Sequence, residues 1–214
     1  MEGLRKYKFH FILFSLLTLV LSPLISELTS ISHSKVVLGS FSLIVIAGFL
    51  TADQLITKRL TILMGSITLI AVWCDYFSIF SVMLDSVRMG SSFLLFCLLV
   101  FILVRNFMEA PEIHLEVILG AMAGFVLLGL IGGVSFEIME YANAGSIMLS
   151  ANPSSYDYYY YSFISLITVG YGDVVPLSGA AKSLSIVISL VGQFYMTIGI
   201  AMFVGKYLNY SNTK

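Results

Sequence analysis

The chain has 214 residues, of which 58% are hydrophobic and only 11% charged, with a mean hydropathy of +0.97. Soluble domains carry about a quarter charged residues, so this composition excludes an ordinary water-soluble domain and indicates an integral membrane protein. A net charge of -1 offers no basic surface for nucleic acid, and Cys74 and Cys97 both lie in apolar runs, where they read as reduced packing residues rather than a disulfide.

Six stretches, 9–28, 36–57, 60–84, 91–108, 113–139 and 178–208, each hold a mostly apolar run near the ~20 residues that cross a bilayer. The expected fold is an all-α membrane protein with six transmembrane helices. The first stretch, preceded by Arg5, Lys6 and Lys8, has the outline of a signal peptide. No small-residue cleavage site follows Pro23, and it is read as a span. Six crossings put both termini on one side. Arg5, Lys6, Lys8, Lys58, Arg59, Arg105, Lys206 and Lys214 gather there, against Lys35, Arg88 and Lys182 opposite, so the positive-inside rule makes both termini cytoplasmic, in the plasma membrane.

Asp75 falls within the third stretch, where an ionisable group is costly and points to function unless it sits at the interface, wetted or bonded to Tyr76. Asp53 reads as solvated near Lys58 and Arg59, and the scattered His10, His33 and His114 make no metal site. Segment 106–114, with Pro111, is either a coupling linker or a tight turn with Glu112 near a helix N-terminus. The fifth stretch carries Gly120, Gly124, Gly129, Gly132 and Gly133. Two small-xxx-small spacings among them predict a face for close helix packing, expected against the sixth stretch.

Residues 140–155 form an outer connection with Pro153, and Ser154 or Ser155 is suited to cap a following helix. That helix runs through the tyrosine-rich segment 156–161 into Thr168-Val169-Gly170-Tyr171-Gly172-Asp173. Successive carbonyls line one side of an extended strand only if the backbone alternates between right- and left-handed conformations. Gly170 and Gly172 permit the left-handed half at alternate positions. The carbonyl oxygens of Thr168, Val169, Gly170 and Tyr171, with the Thr168 hydroxyl, can then replace the water around a dehydrated cation. One chain supplies one oxygen per layer, so the geometry asks for symmetric copies.

The hexapeptide, with the short helix before it and an apolar span on either side, resembles the pore loop of tetrameric potassium channels. The resemblance is specific over about residues 156–175, looser over 113–208 and architectural over 1–108. It implies a four-helix peripheral transmembrane bundle, 1–108, and a pore domain, 109–214, in which a re-entrant pore helix and selectivity filter lie between helices five and six. It implies a homotetramer that conducts potassium along its fourfold axis, with K+ bound at Thr168, Val169, Gly170 and Tyr171 and Gly172 completing the filter. Filter support is expected from Asp173 and from the aromatic pair Tyr160 and Tyr161, hydrogen-bonding toward Tyr171 or Asp173. A gating hinge is expected at Gly192, which is set against close packing on the fifth stretch, or at Gly199. No cofactor is expected beyond the conducted ion, and the partners are further copies of the chain and membrane lipid.

The sequence departs from the family pattern in three places. Between Arg88 and Arg105 the fourth stretch has no basic residue. A voltage-sensing helix needs one at about every third position, because one charge gains only ~2.3 kcal/mol per 100 mV, so no intrinsic voltage sensor is expected. Ile164 stands where some members carry a carboxylate that pairs with the aspartate matching Asp173, and Ile167 where a threonine is common. The sequence runs only a few residues past the sixth stretch, so regulation is expected through the membrane part, the filter, lipid or a separate protein. Two other readings are a potassium uptake transporter subunit, against which stands a single loop with both glycines, and a modulatory subunit of a heteromeric channel. An enzyme is not expected, since no nucleophile-base-acid cluster, zinc spacing or phosphate loop is present.

Overall fold

In lipid every backbone N–H and C=O must find its partner within the chain, which makes helices of long apolar runs. The computed structural model describes residues 7–77, 82–109, 115–149 and 154–212, and they are helical almost throughout. The helices are α1 (Lys8–Val20), α2 (Ser22–Thr29), α3 (His33–Thr51), α4 (Leu55–Tyr76), α5 (Val82–Glu109), α6 (Leu115–Ala142), α7 (Tyr156–Leu166) and α8 (Gly179–Asn212). Two short strands, β1 (Ile147–Met148) and β2 (Val175–Pro176), pair antiparallel with Ile147 opposite Pro176. Helices α3, α4, α5, α6 and α8 are long and apolar enough to cross a membrane, and α1 with α2 would make a sixth span if counted together.

The ends of the expected spans shift in the structure. The first is bent by 72° between α1 and α2. Pro23, in the first turn of α2, has no N–H to give to the Leu19 carbonyl and its ring crowds that carbonyl. Helix α3 stops at Thr51 rather than at 57, and Ala52 and Gln54 are extended before α4 begins. At this break the Lys8 ammonium donates to Asp53 Oδ2 at 2.8 Å. Asp53 is therefore paired across 45 residues instead of being solvated beside Lys58 and Arg59. A pair so exposed stabilises by about 0–1 kcal/mol. The Asn106 amide donates to the Thr51 carbonyl at 3.2 Å and closes the same corner. Helix α4 ends at Tyr76, short of 84, which leaves Asp75 exposed in its last turn, and Asp85 and Arg88 lie inside α5 rather than before it. Arg5, Lys6, Pro111, Glu112, His114, Pro153 and Lys214, and the side chain of Lys206, fall outside the described residues.

The chain divides into two compact units, Met1–Val126 and Leu127–Lys214. Their boundary lies within α6, because the start of α6 packs with the first unit: a Cβ on Gly120 would stand 3.0 Å from the Phe9 ring. The core of the first unit includes Ile12, Leu16, Ile44 and Leu99, with Phe41 stacked on Phe96. Its buried hydroxyls on Thr51, Thr61 and Thr68 each donate to the carbonyl four residues back in the same helix.

In the second unit Leu127, Leu130, Val134, Phe136 and Leu166 are buried. The glycine face of α6, expected against the last span, meets α7. Side chains on Gly129, Gly132 and Gly133 would overlap Phe163, Ser162 and Tyr159, and one on Gly132 would also near α8, through Ile188. The small residues let the short helix seat directly on the α6 backbone, where Ser162 Oγ donates to the Gly129 carbonyl at 2.7 Å.

Candidate functional site

Helix α7 opens with Ser155 at its N-cap, but the Ser155 side chain makes no capping bond. The Asp157 carboxylate instead accepts the Ser154 N–H at 3.1 Å, placing negative charge at the positive end of the helix. The other end closes by two bonds. The Val169 N–H donates to the Ile164 carbonyl at 2.9 Å and the Thr168 N–H to the Ser165 carbonyl at 3.1 Å. This pairing satisfies the last turn when the residue after the C-cap is left-handed, a position usually filled by glycine. Here it is Thr168, with φ of 60°. A β-branched residue in that region costs on the order of 1–3 kcal/mol, and such strain gathers at functional sites.

Left-handed φ then recurs at every second residue, 55° at Gly170 and 81° at Gly172. The alternation expected of the glycines is present, and it begins one step earlier, at Thr168. Residues 167–173 are all exposed in the single chain, Tyr171 by 72%.

Three consecutive tyrosines hold α7 from three sides, because neighbouring helical residues point about 100° apart. The Tyr159 hydroxyl donates to Glu137 Oε2 of α6 at 3.3 Å, the Tyr160 hydroxyl to Asp173 Oδ2 at 2.7 Å, and Tyr161 bonds Ser185 Oγ of α8 at 2.8 Å. The expected bond between Tyr160 and Asp173 forms within one chain. Within the chain Tyr161 reaches α8, and its expected bond toward Tyr171 or Asp173 of the same or a neighbouring chain is not among those described. Tyr159 was legible only as part of the tyrosine run. The bond with Tyr160 holds the Asp173 carboxyl below the usual carboxylate range, and the same bond pushes Tyr160 up to about 12. Ile164, in the position of the missing carboxylate, is buried, and Ile167 is exposed.

Beyond the loop the chain is tied back to the segment that follows α6. The Glu140 carboxylate accepts N–H bonds from Gly145 at 2.6 Å and Ile147 at 3.0 Å. The Ser146 carbonyl accepts from Leu177 at 2.8 Å and Ser178 at 3.2 Å, alongside the β1–β2 pair.

Residues 119–208 match the family model described as an ion channel. That stretch of the chain is similar to ion channels. The match runs from α6 across α7 and the alternating loop into α8, so the residues singled out in the loop all fall within it. No curated protein and no solved structure matches the chain.

Two glycines of α8 in the matched region differ in surroundings. Gly199 has open space where a side chain would be, whereas a Cβ on Gly192 would overlap the Leu166 carbonyl oxygen at the end of α7. Helix α8 runs unbroken from Gly179 to Asn212. An open cleft of about 480 Å³ lies between the loop and α8, lined among others by Tyr161, Thr168, Gly170, Ser185 and Leu190. Among the described residues no group of His, Cys, Asp or Glu is placed to hold a metal ion.

Proposed function

We propose that four copies of this chain surround one axis and pass potassium ions through a filter made by Thr168, Val169, Gly170, Tyr171 and Gly172 of each. The observation that carries this reading is the backbone, left-handed at Thr168, Gly170 and Gly172 in a loop open to solvent. Alternating handedness turns successive carbonyls to the same side, and a column of carbonyls from several copies matches a dehydrated cation. Helix α8 adds support: it is apolar enough to span a membrane, yet only 11% of its spanning window is buried within the chain. An apolar helix left so bare suits one that lies against lipid and further copies. The cleft beside the loop and the exposed Tyr171 offer a neighbour surface to cover.

The protein sits in the plasma membrane with both termini cytoplasmic, and the pore loop enters from outside as a re-entrant segment between the last two spans. No intrinsic voltage sensor operates, since α5 carries Arg88 and Arg105 with an apolar run between, and Arg88 stands 3.9 Å from Asp85 one turn away. No cofactor is needed.

Current through purified protein in planar bilayers, with potassium on one side and sodium on the other, tests the proposal. The expected reversal potential lies near the potassium value, with opening that changes little with voltage. Equal passage of sodium would overturn the filter, and steep voltage activation would overturn the silent α5.

A further inference from the structure

Helix α8 meets the end of α7 at three positions, and what these contacts do rests on the filter reading above. Ser185, Ser189 and Gly192 stand at i, i+4 and i+7, which places them on one face of α8. Each meets a different part of α7. Ser185 Oγ donates to the Ala181 carbonyl at 2.8 Å, so its one proton is used there and the Tyr161 hydroxyl is the donor to Ser185. Ser189 Oγ shares its proton between the Ser165 carbonyl at 3.1 Å and the Ser185 carbonyl at 3.0 Å. Gly192 leaves room for the Leu166 carbonyl, where a Cβ would overlap it.

These contacts fall on the turn that starts the filter. The last carbonyls of a helix have no intrahelical partner and need another. The Ile164 carbonyl takes the N–H groups of Val169 and Gly170, the Ser165 carbonyl takes the Thr168 N–H and the Ser189 hydroxyl, and the Leu166 carbonyl faces Gly192. The strained residue, Thr168, is thus one bond away from a carbonyl that α8 itself holds. Strain of this kind persists only where the surroundings over-determine it.

We propose that Ser189 and Gly192 are positioning residues for the filter: they fix the last turn of α7 and through it the left-handed Thr168, whose carbonyl and hydroxyl form the innermost ion layer. Gly192 therefore serves as a contact that must stay small, not as a bending point, and movement of α8 at this level reaches the filter directly.

The test is the sodium-to-potassium permeability ratio of the full chain, reconstituted in bilayers, for Ser189→Ala, Ser189→Thr and Gly192→Ala. Ser189→Ala should raise the ratio by about tenfold, the factor that one hydrogen bond carries. Ser189→Thr, which keeps the hydroxyl, should restore it, and Gly192→Ala should raise it further. A purely structural role would lower the yield or the melting temperature and leave the ratio alone. Wild-type ratios in both alanine variants, with only the fraction of time open altered, would overturn the proposal in favour of a hinge. Should Gly192→Ala fail to assemble, the Ser189 pair decides alone. A wild-type chain that does not favour potassium removes the filter reading itself, and this inference falls with it.

Discussion

The two units differ in what some of their hydroxyl side chains bond to. In the first, Ser15, Ser40, Thr51, Thr61 and Thr68 all donate to a carbonyl three or four residues back in their own helix. These bonds satisfy the hydroxyl locally and say nothing about which helix lies next door. In the second, Tyr159, Tyr160, Tyr161, Ser162 and Ser189 all bond to a different element. The bundle leans on apolar side chains such as Phe41 on Phe96, which tolerate small adjustments, whereas the loop region adds to its apolar core a set of directional bonds that do not. A scaffold can be approximate, but a site that replaces an ion's water shell needs its oxygens at set positions.

Several substitutions break or sharpen this contrast. The largest effect is expected from Gly170→Ala and Gly172→Ala. Nothing within the chain crowds either position, so the penalty that the chain itself sets is the left-handed backbone, about 1–2 kcal/mol per residue in every copy. Potassium flux into liposomes should vanish in both while the size of the purified assembly is unchanged, and normal flux in either one removes the filter assignment.

Next comes the bond between Tyr160 and Asp173. Tyr160→Phe should make the current decline faster during prolonged recording, with assembly intact. The pH dependence follows from the two shifts. Asp173 is lowered from 3.8, so its contribution is present above that value and is lost as pH falls through its own, lower one. Tyr160 is raised from 10.0 to about 12, so its contribution is complete below 10.0 and fades as pH rises toward 12. Wild-type current stability should therefore be flat from about pH 4 to about pH 10, and a step near neutrality that Tyr160→Phe abolishes would contradict this.

The smallest effects compare the units directly. Ser162→Ala leaves the buried site without its bond to Gly129 and should cost about 1 kcal/mol, read as a lower melting temperature. Thr68→Val, equally buried in the first unit, should cost less than about 0.5 kcal/mol, because the Met64 carbonyl it leaves can keep its helical N–H partner. Equal losses for the two would show that the bundle hydroxyls are as structural as those around the loop.

Much of this was legible in the residues. The apolar runs placed the spans, and the glycine alternation placed the turns at Gly170 and Gly172. Span ends were less legible, since a helix apolar on every side shows no periodicity to mark where it stops. The break after Thr51 was signalled only by the polar pair Asp53 and Gln54, and the bend after Val20 only by Pro23. The left-handed Thr168 could not be read at all. Threonine disfavours that conformation, and its cause is the closing pattern of α7, a feature of three-dimensional hydrogen bonding. The partners of Tyr159 and Tyr161 were hidden because Glu137 and Ser185 lie more than twenty residues away. The partner of Tyr160 was visible because the loop returns Asp173 within the same motif.

The pairing of β1 with β2 means that the chain enters and leaves the segment between them through a single neck, cinched by Glu140 and the Ser146 carbonyl. A loop closed at its neck by its own chain has already met the entropic cost of bringing its ends together. Under the proposed assembly a lone subunit would carry a shaped loop into it, so that joining further copies would be a docking of finished parts, with a rate that follows subunit concentration in the membrane rather than the slower folding of the loop.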